Sequence, residues 1–178
     1  MNLRQLLREQ ASGIVEDWFQ AIVATYPPEA ARFLKQRKDR FANPVGATLS
    51  QEITNIYRSL LEEGVEAEEI DRFLDRIVRI RAVQDYSPDE AVGFVFDLKR
   101  VVRRRLGDKL RDGELAAELR RFEDMVDRLA LKAFAIYASC REQLNMLKVN
   151  EMRNLYARVL ERSGVFVPVP EQAEPDGA

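Results

Sequence analysis

The chain has 178 residues, of which 46% are hydrophobic and 33% charged, and its formal net charge at pH 7 is −2. This size fits one domain with a substantial core, and the near-neutral charge gives no reason to expect nucleic-acid binding. Histidine is absent and Cys140 is the only cysteine, which excludes a Ser-His-Asp triad, histidine-ligated zinc or haem, and any intrachain disulfide. We therefore expect no enzymatic activity, no metal and no cofactor.

Membrane insertion is not expected either. No apolar run approaches the roughly 18 residues of a membrane-spanning helix. The first ten residues, MNLRQLLREQ, are amphipathic and lack the unbroken apolar core of a signal peptide. We expect a cytoplasmic protein.

The apolar spacing predicts helices along the whole chain and no strand. The first helix is expected from Leu3 to Thr25, with Ser12–Gly13 marking a kink or a break into two pieces. Tyr26-Pro27-Pro28 ends it, because the residue before a proline is pushed out of the helical region. Five further helices are expected at about 28–38, 44–61, 67–83, 88–107 and 112–162.

The fifth helix has the clearest start. Ser87 is a good N-cap, Pro88 fits the first helical position, and Glu90 completes a capping box. The residues that follow, Ala91 to Phe96, are apolar on all sides. Such a run is typical of a buried central helix.

The sixth helix carries a heptad seam in which apolar residues alternate spacings of four and three from Leu115 to Cys140. Unbroken to Arg162, it would span roughly 75 Å at 1.5 Å per residue, about twice the width of a domain of this size. Either it breaks near Met146–Asn150, or its end projects or packs on a partner. We expect a homodimer built on the last two helices, with these residues at its interface: Leu129, Ile136, Leu144, Leu155 and Val159. Cys140 itself falls on the seam and is expected in the core.

The stretch IVRIRAVQDYSPDEAVGFVFDLKRVV, residues 77–102, closely resembles the N-terminal domain of RsbR/RsbRD-type co-antagonists, proteins of the bacterial stressosome. The pattern is carried by Ile80, Arg81, Val83 to Pro88, Glu90 to Phe94, Leu98 and Lys99. The FANPVG segment at 41–46 and the DWF around Trp18 are also similar to that family.

The resemblance covers about residues 3–145 and implies a haem-free, globin-like sensor module, usually dimeric, that feeds a C-terminal output domain. A simple helical bundle would give the same helix pattern. After Arg162 we expect no room for a STAS or kinase domain. The expected organisation is a globin-like domain over 1–146, a helical extension over 147–163 and a disordered tail over 164–178.

A globin-like arrangement would place Tyr57, Phe73 and Ile77 near any cavity, where an apolar small ligand could bind. The alternative is that these residues simply fill the core.

Two charged groups have the same double interpretation. Arg81, Gln84 and Asp85 either cap and pair across the joint between the fourth and fifth helices, or recognise a partner or signal. Arg103 and Arg104 either form a solvated helix end that suits the helix dipole, or dock a partner.

Three functions remain open: a sensory or regulatory module acting through dimerisation and an unidentified protein partner, an apolar small-molecule binder, and a helical adaptor of a larger complex. The first is our leading hypothesis.

Overall fold

The computed structural model describes residues 2–36, 41–62, 67–111 and 113–164, and these residues form helices and no strand. The all-α prediction is confirmed. The expected disordered tail lies outside the described residues from 165 onward. The α-helices are α1 Leu3–Glu9, α2 Ala11–Val23, α3 Pro28–Leu34, α4 Pro44–Leu61, α5 Ala67–Val83, α6 Pro88–Leu106 and α7 Gly113–Ser163, with a 3₁₀ turn at Gly107–Arg111.

The first predicted helix is broken at Gln10, which separates α1 from α2, and not at Ser12–Gly13. Gly13 lies inside α2, and the space that its missing Cβ would fill is occupied by the guanidinium of Arg105, 2.3 Å away. Arg105 pairs there with Asp17 at 2.6 Å, and this hydrogen bond lowers the pKa of the Asp17 carboxyl. Gly13 therefore leaves room for the Arg105 side chain of α6, and the helix is not kinked or broken there.

Residues 1–141 form one compact unit, whose core is centred on α2, α4 and α6. Trp18 of α2 is fully buried. Its indole N–H donates to the Phe94 carbonyl at 2.6 Å, and the two rings stack with centroids 6.3 Å apart. Most of the apolar run at the start of α6 is buried, as the sequence predicted, because Ala91, Val92, Phe94 and Val95 lie in the core. Phe96 departs from that prediction and is 46% exposed.

Two predicted caps are present. The Asn43 side chain accepts from the Gly46 amide at the start of α4 at 2.8 Å. At α6 the capping box forms, with the Glu90 carboxylate accepting from the Ser87 amide at 3.1 Å and from its hydroxyl at 2.8 Å. The turn between α5 and α6 is therefore stabilised by hydrogen bonds between two of its own residues, Ser87 and Glu90.

The last helix, α7, runs without a break through Met146–Asn150. Its seam residues face the core of the first unit, and Cys140 is buried among them, as predicted for that residue. The buried apolar residues of α7 are Leu115, Leu119, Phe122, Val126, Leu129, Ala130, Ala133, Tyr137 and Cys140. Residues 142–178 form a second unit, described from 142 to 164.

Candidate functional site

An open apolar groove of about 750 Å³ runs between α6 and α7. Large apolar side chains stand exposed along it: Leu131 is 71% exposed, Phe134 52% and Phe96 46%. Asp89 and Asp127 also line it, and the Asp127 carboxylate pairs with Lys99 at 2.5 Å. The rest of its lining is apolar, from Pro88, Val92, Gly93 and Ala130.

This groove exists because α7 is apolar on two sides between 113 and 141. Residues two apart on a helix point in roughly opposite directions. Leu129 faces the core while Leu131 faces solvent. Reading the seam alone misses this outer face, although Leu131 and Phe134 are visible in the sequence as apolar residues off the seam.

The residues expected at the dimer interface are found in different environments. Leu129 differs from the expectation: it is 4% exposed and belongs to the chain's own core, because it continues the inward-facing seam. Ile136 is half-buried against that core, and Leu144 is half-buried as well. Leu155 and Val159 are exposed.

The helix from 142 to 163 carries an apolar stripe of its own. Leu155 and Val159 lie on one side of it with Met152 and Tyr156, because these positions share one helical face at 3.6 residues per turn. The exposed large apolar residues of this segment are Met146, Leu147, Val149, Met152, Leu155, Tyr156, Val159 and Leu160.

The α5–α6 joint is tied to α7 by two side chains. Arg141 pairs with Asp85 at 2.7 Å and donates to the Ala82 carbonyl at 3.2 Å. The Tyr137 hydroxyl donates to the Tyr86 carbonyl at 2.6 Å. Asp85 holds the turn with φ of 64°, a conformation that aspartate adopts more readily than most residues. Gln84 is exposed beside it.

Arg81 has the least expected position at this joint, because its side chain is 0% exposed. Its guanidinium donates to the Thr25 hydroxyl and the Glu90 carbonyl. The carbon of the group lies 5.3 Å from the Tyr26 ring centroid and 4.4 Å from that of Tyr86. Burial raises the pKa of the Tyr26 phenol, against the opposing effect of the Arg81 charge. Across the joint, Arg81 thus contacts Glu90 through a hydrogen bond to its backbone carbonyl and not through an ion pair.

Arg103 and Arg104 separate at the end of α6. Arg103 makes a two-pronged ion pair with Glu123 of α7, at 2.6 and 2.7 Å, so it links two helices of the core. Arg104 is exposed and lines a small pocket of about 330 Å³ together with Asp17, Asp97 and Val101.

Of the three residues expected near a cavity, only Tyr57 reaches one of the described clefts. It lines a cleft of about 480 Å³ between α2 and α4, together with Ala11, Val15 and Thr54. Its hydroxyl donates to the Leu7 carbonyl at 2.9 Å, and burial raises its pKa. Ile77 is fully buried and Phe73 packs against the core.

Two classes of site are not found in the described part of the chain. It holds no cluster of three or more acidic or cysteine side chains arranged to bind a metal ion. None of its helices is long and apolar enough to cross a membrane.

Comparison with known proteins gives one match. Residues 12–152 match the family model of the RsbT co-antagonist protein rsbRD N-terminal domain. No curated protein and no solved structure matches the chain.

Proposed function

The chain belongs to the family of the RsbT co-antagonist protein rsbRD N-terminal domain, and from this we propose that it is a non-enzymatic regulatory module of the stressosome type. In this proposal it works as a homodimer and through contacts with a protein partner. The observation that carries the proposal is the apolar surface left exposed along α6 and α7.

The exposed apolar residues are not scattered singly. One group lines the α6–α7 groove, and a separate group lies on the 142–163 helix. Soluble monomers rarely expose contiguous apolar patches of more than a few hundred Å². Leu131 and Phe134 stand beside Phe96 across the α6–α7 groove, and the 142–163 helix adds a stripe of its own. A second copy related by a two-fold axis would cover such a surface economically, because the same patch then serves both subunits.

The proposed interface differs in part from the one expected from sequence. Ile136, Leu144, Leu155 and Val159 remain in it. The exposed groove residues take the place of Leu129, which is already buried in its own subunit. The Asp89 and Asp127 carboxylates would lie at the solvated rim, where charged groups cost least on association.

The test is the molar mass in solution, measured by light scattering behind size exclusion at tens of micromolar. We expect a dimer for the unmodified chain. Glu at both Leu131 and Phe134, or at both Leu155 and Val159, should shift the protein toward monomer with its helical circular dichroism unchanged. These positions are exposed, so the substitutions leave the core intact.

A matched control puts the same two charges on the other side of the helix. Asn154→Glu with Ala157→Glu changes two exposed positions on the face opposite Val159, and this variant should stay dimeric. An unmodified chain that runs as a monomer would refute the dimer, as would a loss of dimer in the control.

The second candidate function is ligand binding in the cleft lined by Tyr57. Its volume of about 480 Å³ is within the range of small-molecule sites, and Val15 and Leu61 supply apolar lining beside the polar groups of Arg8 and Thr54. Native mass spectrometry of the purified protein would test it. A bound small molecule lost on Val15→Trp would support this function, and an empty protein that carries only its own mass would count against it.

A further inference from the structure

The buried guanidinium of Arg81 is not fully satisfied. Its Nη2 donates to the Thr25 hydroxyl at 2.9 Å and to the Glu90 carbonyl at 3.0 Å. Its Nε and Nη1 have no acceptor at ordinary hydrogen-bond geometry, and neither does the buried hydroxyl of Tyr26, which lies close enough to the Arg81 side chain for that group to oppose the rise in the Tyr26 pKa. Three of the five N–H groups of a guanidinium are thus left without an acceptor inside the protein.

The charge of Arg81 is also uncompensated. Among the residues that the structure describes, no carboxylate pairs with it. The nearby Glu90 offers its backbone carbonyl, while its carboxylate is engaged at Ser87. An arginine side chain keeps its positive charge in proteins, and a buried charge without a counter-charge is strongly destabilising.

Three aromatic rings supply part of the missing stabilisation. The guanidinium carbon lies 4.4 Å from the ring centroid of Tyr86, 5.3 Å from that of Tyr26 and 5.9 Å from that of Phe94. Ring faces attract a cation, but they accept no hydrogen bond of ordinary strength from Nε or Nη1. The rings therefore hold the group in place and leave its free donors unsatisfied.

We propose that Arg81 and the Tyr26 hydroxyl form a buried binding site for a small monovalent anion. A halide or a small oxyanion such as nitrate or formate carries the charge that Arg81 lacks and accepts the hydrogen bonds that Nη1 and Tyr26 can donate. The rings packed against the guanidinium favour such an ion over a larger metabolite. Two residues that contact Arg81 reach toward solvent, because Thr25 is exposed and Tyr86 is half-buried.

The site joins four parts of the fold. Tyr26 follows α2, Arg81 belongs to α5 and Glu90 to α6, while the Tyr86 carbonyl is held by Tyr137 of α7. An anion there stabilises the α5–α6 joint beside the exposed groove. A regulatory role for this binding rests on the proposed function, whereas the binding itself does not.

The test is thermal unfolding of the purified chain in a buffer whose only anion is a bulky organic sulfonate. Sodium chloride, nitrate and formate are each titrated in place of the sulfonate salt at constant ionic strength. We expect a saturable rise in the unfolding temperature with at least one of them, by about 5–10 °C at a hundredfold excess over the dissociation constant. A response to chloride alone assigns a halide site, and a stronger response to nitrate or formate assigns an oxyanion site.

Three variants decide whether Arg81 is responsible. Arg81→Met should remove the rise, and Arg79→Met, which loses an exposed ion pair with Asp75 on the same helix, should keep it. Tyr26→Phe should keep the fold and raise the anion concentration at half-effect several-fold, and it decides the question if Arg81→Met does not fold. A flat response of the unmodified chain to all three anions would overturn the proposal. So would an undiminished response in Arg81→Met or an unchanged half-effect concentration in Tyr26→Phe. Light scattering of the same samples measures the molar mass. It therefore tests the proposed dimer independently of the anion site.

Discussion

Replacing Gly46 by alanine should destabilise the protein strongly, although alanine is the better helix former. Gly46 lies in the first turn of α4. A Cβ there would stand 2.4 Å from the Asn43 side-chain nitrogen and 2.6 Å from the Leu34 carbonyl oxygen. Both distances are far inside van der Waals contact, and the second involves backbone that cannot turn away.

The Asn43 side chain that would be displaced makes hydrogen bonds through both its nitrogen and its oxygen. It is 1% exposed, and its amide donates to the carbonyls of Phe33, Leu34 and Gln36 at 2.9, 3.1 and 3.2 Å. Its oxygen accepts from the Gly46 amide at 2.8 Å. One side chain thus caps both the C-terminus of α3 and the N-terminus of α4.

The expected loss follows from these contacts. Losing one or two of the hydrogen bonds costs about 1 kcal/mol each, and the steric displacement adds about 1–3 kcal/mol. The better helix propensity of alanine returns about 1 kcal/mol. The net loss for Gly46→Ala is about 1–4 kcal/mol, which lowers the urea midpoint by roughly 0.5–2 M.

The chain contains two matched controls for this experiment. Gly93→Ala in α6 has nothing within 4 Å of the new Cβ and should gain up to about 1 kcal/mol. Gly13→Ala displaces only the flexible end of Arg105, whose partly exposed pair with Asp17 is worth about 0–1 kcal/mol, so it should remain near the unmodified stability.

Urea unfolding is followed by circular dichroism at one fixed protein concentration. Gly46→Ala as stable as Gly93→Ala would refute the reasoning. A second check is Asn43→Ala, which should cost a similar amount, with the double substitution costing clearly less than the sum of the two.

Two further predictions use the titrating side chains. Burial raises the pKa of Tyr26, Tyr57 and Tyr86, so these three of the five tyrosines should stay protonated in the folded protein near pH 10, and their share of the absorbance at 295 nm should appear only on unfolding. Because the folded pKa values lie above the unfolded ones, their contribution to stability is complete below about pH 10 and is lost as the pH rises further; full ionisation of all three while the helices persist would contradict this. Burial likewise raises the pKa of Cys140, and the thiol lies in the core, so a disulfide reagent at pH 8 should react with it far more slowly in native protein than in urea. Equal rates in the two conditions would show that Cys140 is accessible.

Much of the fold follows from local chemistry. The Asn43 and Ser87 caps, the prolines behind them and the apolar period of each helix depend on neighbouring residues, so the starts of α4 and α6 could be predicted from the sequence. The seam from Leu115 to Cys140 could be predicted for the same reason, because a helix with one apolar face must bury it. The family was also recognisable from the residues around the α5–α6 joint.

Other features were decided by residues distant in the chain. The first helix is broken at Gln10, whereas Gly13 lies inside α2, where the Arg105 side chain of α6 occupies the space beside it. From the sequence alone, Arg103 could belong to a solvated helix end. In the fold it forms an ion pair with Glu123 of α7.

Arg81 and Leu131 show most clearly that the sequence alone does not predict whether a side chain is buried. Charge and helical position alone would put Arg81 in water, yet the rings of Tyr26 and Tyr86, from two other segments, enclose it completely. Leu131 is recognisable in the sequence only as an apolar residue off the seam, and it is exposed because Leu129 and Ala130 occupy the inward side of α7. A local pattern states which residues share a helical face, whereas the packing of the other helices decides which face is covered and which is left for a ligand or a partner.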